Sequence, residues 1–130
     1  MPLVRIDLAR GKTAQYRRQL GDLVYRAMVD VIDVPPNDKF QIITEHAPEE
    51  LNVTDGYLGI RYSPDVVLIQ VTLSHGRTTA QKAAFYRRVA SDLHRELGLD
   101  PQNVFISLVE VTRENWSFGN GVAQYVTQAA

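Results

Sequence analysis

The residue with the most unusual chemistry open to it is Pro2. A methionine ahead of a small residue is ordinarily removed, and the nitrogen of Pro2 is then a secondary amine instead of part of a peptide bond. An α-amino group titrates at about 7.7–8.0. An apolar pocket lowers that value and yields a base near neutrality, whereas a neighbouring carboxylate raises it and keeps a cation. Either form does acid–base work on a carbonyl acid. The structural alternative stays open beside it: a proline that opens a strand has no N–H to lose. Other chemistries have less to stand on. His46, His75 and His94 form no pair at metal-ligand spacing, and no His-Glu-x-x-His run exists. His46 and His94 read as ordinary surface histidines. Glu49-Glu50, the one adjacent carboxylate pair, sits in an irregular stretch and reads as solvated. No phosphate-binding glycine loop and no Gly-x-Ser-x-Gly elbow is present. With no cysteine, disulfides, thiolate metal sites and thiol nucleophiles are excluded.

The elements that must position Pro2 come in two copies. Gly11-Lys12-Thr13 recurs 65 residues later as Gly76-Arg77-Thr78, and Pro36, Phe40 and Glu45 recur at the same offset as Pro101, Phe105 and Glu110. Apolar positions keep this register without a gap, from Ile6 and Val71 to Val34 and Leu99. In the first copy Pro2–Leu8 alternates as a strand. Gly11 ends it, Thr13 is placed to cap a helix, and Tyr16, Leu20, Leu23, Val24, Ala27, Met28 and Val31 recur at helical spacing. Pro35-Pro36 stops that helix, and Lys39–Glu45 returns to a strand. In the second copy Val66–Leu73 is a nearly continuous apolar run, which predicts a central strand covered on both faces. Thr78-x-x-Gln81 has the spacing of a capping box, Phe85, Val89, Leu93 and Leu97 mark a helix face, Gly98 is a C-terminal stop, and Val104–Val111 is the closing strand. Right-handed crossovers make the strands within each copy parallel.

The predicted fold is therefore α+β: two fused β-α-β units forming a four-stranded mixed sheet with two helices on one face, within one domain over residues 1–130. The bare second face predicts burial against other subunits. His46–Asp65 reads as a connector with a short strand at Tyr57–Tyr62. Asn120-Gly121 is a hairpin signal in the tail. Arg17-Arg18 and Arg87-Arg88 read as solvated helix faces. A net charge of −1 argues against nucleic-acid binding by bulk charge. No apolar run approaches the ~20 residues that span a membrane, and the first residues do not form a secretory leader. The expected location is cytoplasmic.

The duplicated unit together with Pro2 resembles the tautomerase superfamily. The matching residues are Pro2-Leu3-Val4-Arg5-Ile6-Asp7, the Gly76-Arg77-Thr78 turn, Pro36-x-Asp38-x-Phe40-Gln41 and Asn115-Trp116-Ser117-Phe118-Gly119-Asn120-Gly121. Within that superfamily the chain is most similar to the malonate semialdehyde decarboxylase group. The resemblance implies a homotrimer with its sheets facing inward and a pocket around each amino-terminal proline. It maps the catalytic proline onto Pro2, the acidic partner that activates water onto Asp38, the carboxylate-binding arginine onto Arg77, and an apolar pocket wall onto Trp116 and Phe118. The group's second arginine is replaced by His75, which leaves the cationic clamp incomplete. His75 is a candidate pocket member.

Local readings stand beside these. Asp38 also suits the turn after Pro35-Pro36. Arg77 opens a helix, a poor place for a cation unless an anion binds there as well. The expected function is a cofactor-independent enzyme on small oxo acids that carries out keto–enol tautomerisation, hydration or malonate-semialdehyde-type decarboxylation, with no metal. The alternatives are a non-enzymatic ferredoxin-like ligand-binding module and an inactive trimer of the same family.

Overall fold

Strict alternation along the first strand sets the layering of the molecule. A computed structural model describes residues 2–127. In β1 (Pro2–Ala9), Pro2, Val4, Ile6 and Leu8 are buried while Leu3, Arg5 and Asp7 look the other way. In β5 (Val67–Ser74), Val67, Ile69, Val71 and Leu73 are buried in the same rhythm. Both rows face α1 (Ala14–Val31) and α2 (Thr79–Leu97), whose Leu20, Val24, Met28, Phe85, Val89 and Leu93 complete one core. Each such side chain contributes about 1.5–3 kcal/mol by leaving water.

The sheet order is β2 (Gln41–His46), β1, β5, β6 (Val104–Val111). β1 runs parallel to β2, β5 runs parallel to β6, and the two central strands are antiparallel, so the mixed sheet joins two β-α-β units. The 65-residue offset holds in three dimensions. Thr13 and Thr78 both cap a helix, each hydroxyl accepting from the N–H three residues on at 3.0 and 3.1 Å. Gln81 returns a bond to the Thr78 N–H at 3.0 Å and completes the expected box. Gly11 and Gly76 take φ of 121° and 133°, a left-handed turn between strand and helix that favours glycine. Gly98 ends α2 at φ 68°.

Several expectations need correction. Among the described residues β5 is covered on one face only: Gln70 is exposed, because none of them covers it on the second side of the sheet. β2 and β5 begin two residues and one residue later than their apolar runs suggest. The connector strand is instead a tight hairpin of β3 (Gly56–Tyr57) and β4 (Ile60–Arg61), turned by Leu58 and Gly59 at φ 53° and 81°. The tail is not a hairpin. Asn120 and Gly121 do adopt φ 60° and 67°, but the chain then enters α3 (Gln124–Thr127). The Gln124 amide accepts from the Phe118 N–H and donates to the Gly119 carbonyl, both at 2.9 Å, and so holds the loop without a strand partner.

Two supposedly solvated arginines are engaged. Arg17 reaches Glu45 at 3.0 Å, and Arg88 binds the buried Asp92 at 2.6 Å and Asp30 at 2.8 Å. His46 is also not an ordinary surface residue: it is half-buried, with Nε2 2.6 Å from Asp7 Oδ1 on the neighbouring strand.

Candidate active site

The antiparallel pairing of the central strands brings the two ends of the repeat to one corner. Pro2 lies opposite Leu73, so the start of β1 stands beside the end of β5, where the chain turns through His75 and Gly76 into Arg77. The other neighbour of β1 arrives by the Val4 N–H, which donates to the Phe40 carbonyl at 2.9 Å. That bond brings Asp38, two residues before Phe40, to the same corner. A cleft of about 230 Å³ opens there, lined by Pro2, Leu3, Phe40, Trp116, Ser117 and Phe118.

Its outer wall is an aromatic pile. Trp116 and Phe118 stack at 5.5 Å, and Tyr125 meets Phe118 edge-on at 5.0 Å. Such contacts favour offset or edge geometry because of the ring quadrupole. The indole N–H donates to Ser74 Oγ at 3.2 Å, which ties the wall to the end of β5.

Arg77 is half-buried. Nε donates to the Ile32 carbonyl at 2.8 Å and Nη1 to the Ser74 carbonyl at 3.1 Å. Ile32 is the C-cap of α1, so the cation that sits unfavourably at the entrance to α2 is stabilised by the negative end of α1. Nη2 has no partner among the described residues. Asp38 is half-buried as well. Its backbone N–H closes the turn onto the Pro35 carbonyl at 3.1 Å, while its carboxylate has no hydrogen-bond or ion-pair partner among the described residues. The turn therefore does not consume the carboxylate.

Pro2, Trp116 and Phe118 thus share one cleft. Asp38 and Arg77 are not among the residues that line it. Burial raises the phenol of Tyr125 above the usual tyrosine range and the Asp38 carboxylate adds to this, while Arg113 and Arg77 pull it back down. His75 is exposed, and Glu110 is held below the usual carboxylate range chiefly by Lys82, which binds it at 2.7 Å. It is not among the residues lining the cleft. Sequence reasoning missed Ser74, Tyr125 and Arg113. None carries a local signal: Ser74 is set there by the end of β5, Arg113 by the end of β6, and Tyr125 by the return of the tail.

The equivalent corner of the other repeat is a natural comparison. Depressions of about 280 and 310 Å³ lie there, larger than the cleft at Pro2. The chemistry is nevertheless missing. The place of Pro2 is taken by Val67, a residue within the chain. Lys12, in the place of Arg77, is paired with Asp65 at 3.0 Å. Asn103, in the place of Asp38, is buried and bonded to Ser63 Oγ at 2.7 Å. No group of three or more metal-ligating side chains occurs among the described residues, and no described helix is long and apolar enough to cross a membrane.

Comparison with known proteins gives a consistent picture. Residues 38–119 match a family model described as tautomerase enzyme, and residues 2–61 match a second with the same description. The chain is 38% identical over 126 residues to the probable tautomerase YusQ of Bacillus subtilis (strain 168), covering 97% of this chain and 99% of the relative. Among solved structures, a malonate semialdehyde decarboxylase described as having decarboxylase and hydratase activities superposes with a TM-score of 0.89 at 37% identity, over 97% of each chain. A malonate semialdehyde decarboxylase inhibited by 3-bromopropiolate also gives 0.89, at 39% identity over 97% of this chain and 95% of the other.

Proposed function

The chain belongs to the tautomerase family, and from that premise we propose that it is a cofactor-independent enzyme acting on small oxo acids, with the amino-terminal nitrogen of Pro2 as its acid–base group. The observation that carries this reading is the cleft at the corner of the sheet, where Pro2 borders a small, largely apolar space walled by Phe40, Trp116 and Phe118. Met1 lies outside the described residues, and the reading requires its removal.

Arg77 binds the substrate carboxylate through the edge of its guanidinium not spent on Ile32 and Ser74, a geometry that suits planar carboxylates. In a 2-oxo acid, neutral Pro2 takes a proton from the carbon next to the carbonyl. The C–H electron pair forms the enol double bond, the carbonyl electrons move onto oxygen, and Pro2 returns the proton to that oxygen. With Pro2 as a cation, the same arrangement polarises a carbonyl while Asp38 directs water, which is the hydration and decarboxylation branch. The similarity to two malonate semialdehyde decarboxylases supports that branch, and His75 in place of the second arginine weighs toward tautomerisation.

The bare sheet face supports assembly as a homotrimer. Ile42, Phe105 and Val109 lie on it at 43%, 44% and 37% exposure, and apolar side chains grouped on one open face mark a surface for association.

The test has two arms. Intact mass must show the chain lighter by one methionine. Pro2→Ala must then lower phenylpyruvate tautomerisation by roughly 10²–10⁴-fold with the assembly unchanged. Full activity in that variant, or a retained Met1 in an active preparation, rejects the assignment.

A further inference from the structure

One residue at the end of β5 receives both the apolar wall of the cleft and the proposed carboxylate anchor. Ser74 closes that strand, half-buried, and is fixed in the ladder: it lies opposite Val111 of β6, and the next N–H, that of His75, donates to the Val111 carbonyl at 3.0 Å. Its hydroxyl accepts the Trp116 indole N–H at 3.2 Å, and its carbonyl accepts Arg77 Nη1 at 3.1 Å. The indole N–H is the only hydrogen-bond donor of that ring. Stacking on Phe118 at 5.5 Å sets the separation and tilt of the ring but leaves it free to turn in its own plane. The bond to Ser74 fixes that turn. Trp116 itself lies outside the sheet, after the short turn Arg113–Asn115, so its place in the cleft lining beside Pro2 depends on side-chain contacts.

We propose that Ser74 is a positioning residue that sets the spacing between the apolar wall and the carboxylate anchor, and so makes the site selective for oxo acids with a large apolar group on the reacting carbon. The proposal rests on the oxo-acid reading of the site and extends it. Such an acid meets the protein at two ends, its carboxylate at Arg77 and its apolar group at Trp116 and Phe118. Both ends are referred to one residue held in the strand ladder. A substrate of matching length then binds without having to order the indole, a cost that a loose wall would impose on every binding event. The two contacts of Ser74 are separable. Ser74→Ala removes the hydroxyl and frees the indole, but it keeps the carbonyl on which Arg77 rests. An acid too short to reach the wall is therefore insensitive to the change.

Calorimetric titration of the mature protein with phenylpyruvate and with 2-oxobutanoate tests this. The two acids share the carboxylate and the oxo group and carry phenyl or methyl on the carbon that loses its proton. Ser74→Ala weakens phenylpyruvate by about fivefold and leaves 2-oxobutanoate within about twofold. Ser74→Thr, which keeps the hydroxyl, stays near wild type. Trp116→Phe removes the same bond from its other end and weakens phenylpyruvate selectively, and Ser74→Ala adds nothing further in that background. Equal weakening of the two acids, no weakening, a threonine variant as weak as the alanine one, or losses that add in the double variant overturns the proposal. Turnover keeps the parent reading apart. If Pro2→Ala retains full phenylpyruvate tautomerisation while Ser74 and Trp116 remain coupled, the role of Pro2 falls and that of Ser74 stands. If Pro2→Ala is inactive and the losses add, the reverse holds. A wild-type protein that binds neither acid overturns both.

Discussion

Arg77 Nε donates to the carbonyl of Ile32 at 2.8 Å, and this bond joins the helix entrance of the second repeat to the helix exit of the first. One side chain therefore closes the C-terminus of α1 and presents its remaining edge to the proposed substrate. Hydrogen bonds from a charged donor are worth about 1.5–3 kcal/mol. Arg77→Ala is expected to lose about 2 kcal/mol of stability in denaturant unfolding and to raise KM for oxo acids more than it lowers kcat. Arg77→Lys keeps the charge but not the fork, and it should recover part of the stability and little of the affinity. An Ala variant as stable as wild type would show that the Ile32 contact is immaterial.

The protonation state of Pro2 separates the two branches of the mechanism. A neutral base predicts kcat/KM that falls as pH drops below its pKa; a cationic acid predicts a fall as pH rises above it. A pH–rate profile for phenylpyruvate, repeated with Asp38→Asn, reads this directly. Loss of a carboxylate near the amine lowers the amine's pKa, so the limb should move to lower pH in the variant. A limb that stays in place removes Asp38 from the neighbourhood of the titrating group.

Stability at high pH carries its own signature. Burial raises the phenols of Tyr16 and Tyr125 above the ordinary value of 10.0. The folded state then holds these protons more tightly than the unfolded chain. Their contribution is fully present below pH 10 and is lost as pH rises through the higher folded-state values. Urea unfolding at pH 9 and pH 11 should show this loss, and Tyr16→Phe should reduce it. An identical slope in the variant would count against the assignment.

Glu110 behaves in the opposite sense. Its hydrogen bond with Lys82 at 2.7 Å holds it below the usual 4.5. The contribution of that pair is present above pH 4.5 and disappears as pH falls through the lowered value. Because the pair is open to solvent the effect is small and screened by salt, and Lys82→Met should flatten the acid limb only at low ionic strength.

The two helix caps offer an internal control. Thr13→Ala and Thr78→Ala each remove a hydroxyl that accepts a backbone N–H, at a cost of about 1 kcal/mol. The Thr78 backbone N–H also donates to Gln81 Oε1, a bond that Thr78→Ala leaves in place and Gln81→Ala removes, so Gln81→Ala should also be less stable than wild type by chemical denaturation. A Gln81→Ala variant as stable as wild type would mean that the Gln81 bond contributes nothing.

Much of the architecture was legible in the residues because it depends on local chemistry repeated in register. Alternation marked β1 and a nearly continuous apolar run marked β5, three-and-four spacing marked both helices, and Thr13, Thr78, Gly11, Gly76 and Gly98 marked the turns and ends through their own side chains or lack of one. The open sheet face misled only at β5, where an apolar run looked covered on both sides although the described residues supply one cover.

The candidate site was legible in part. Pro2 was visible from its position, and Asp38, Arg77, Trp116 and Phe118 from a family resemblance, but their spacing along the chain implies no proximity. Antiparallel pairing of β1 with β5 sets Pro2 beside the turn that leads to Arg77, and the returning tail lays Tyr125 against the aromatic wall. These are contacts between residues far apart in sequence, decided by how the two units dock and by where the Gln124 amide pins the last loop. The sequence by itself determined the repeated unit, its caps and its buried rows, since each rests on interactions within a few residues. Only the tertiary structure decided that Arg77 spends two donors on backbone carbonyls, that Asp38 keeps its carboxylate unpaired among the described residues, and that Tyr125 from the tail packs edge-on against Phe118.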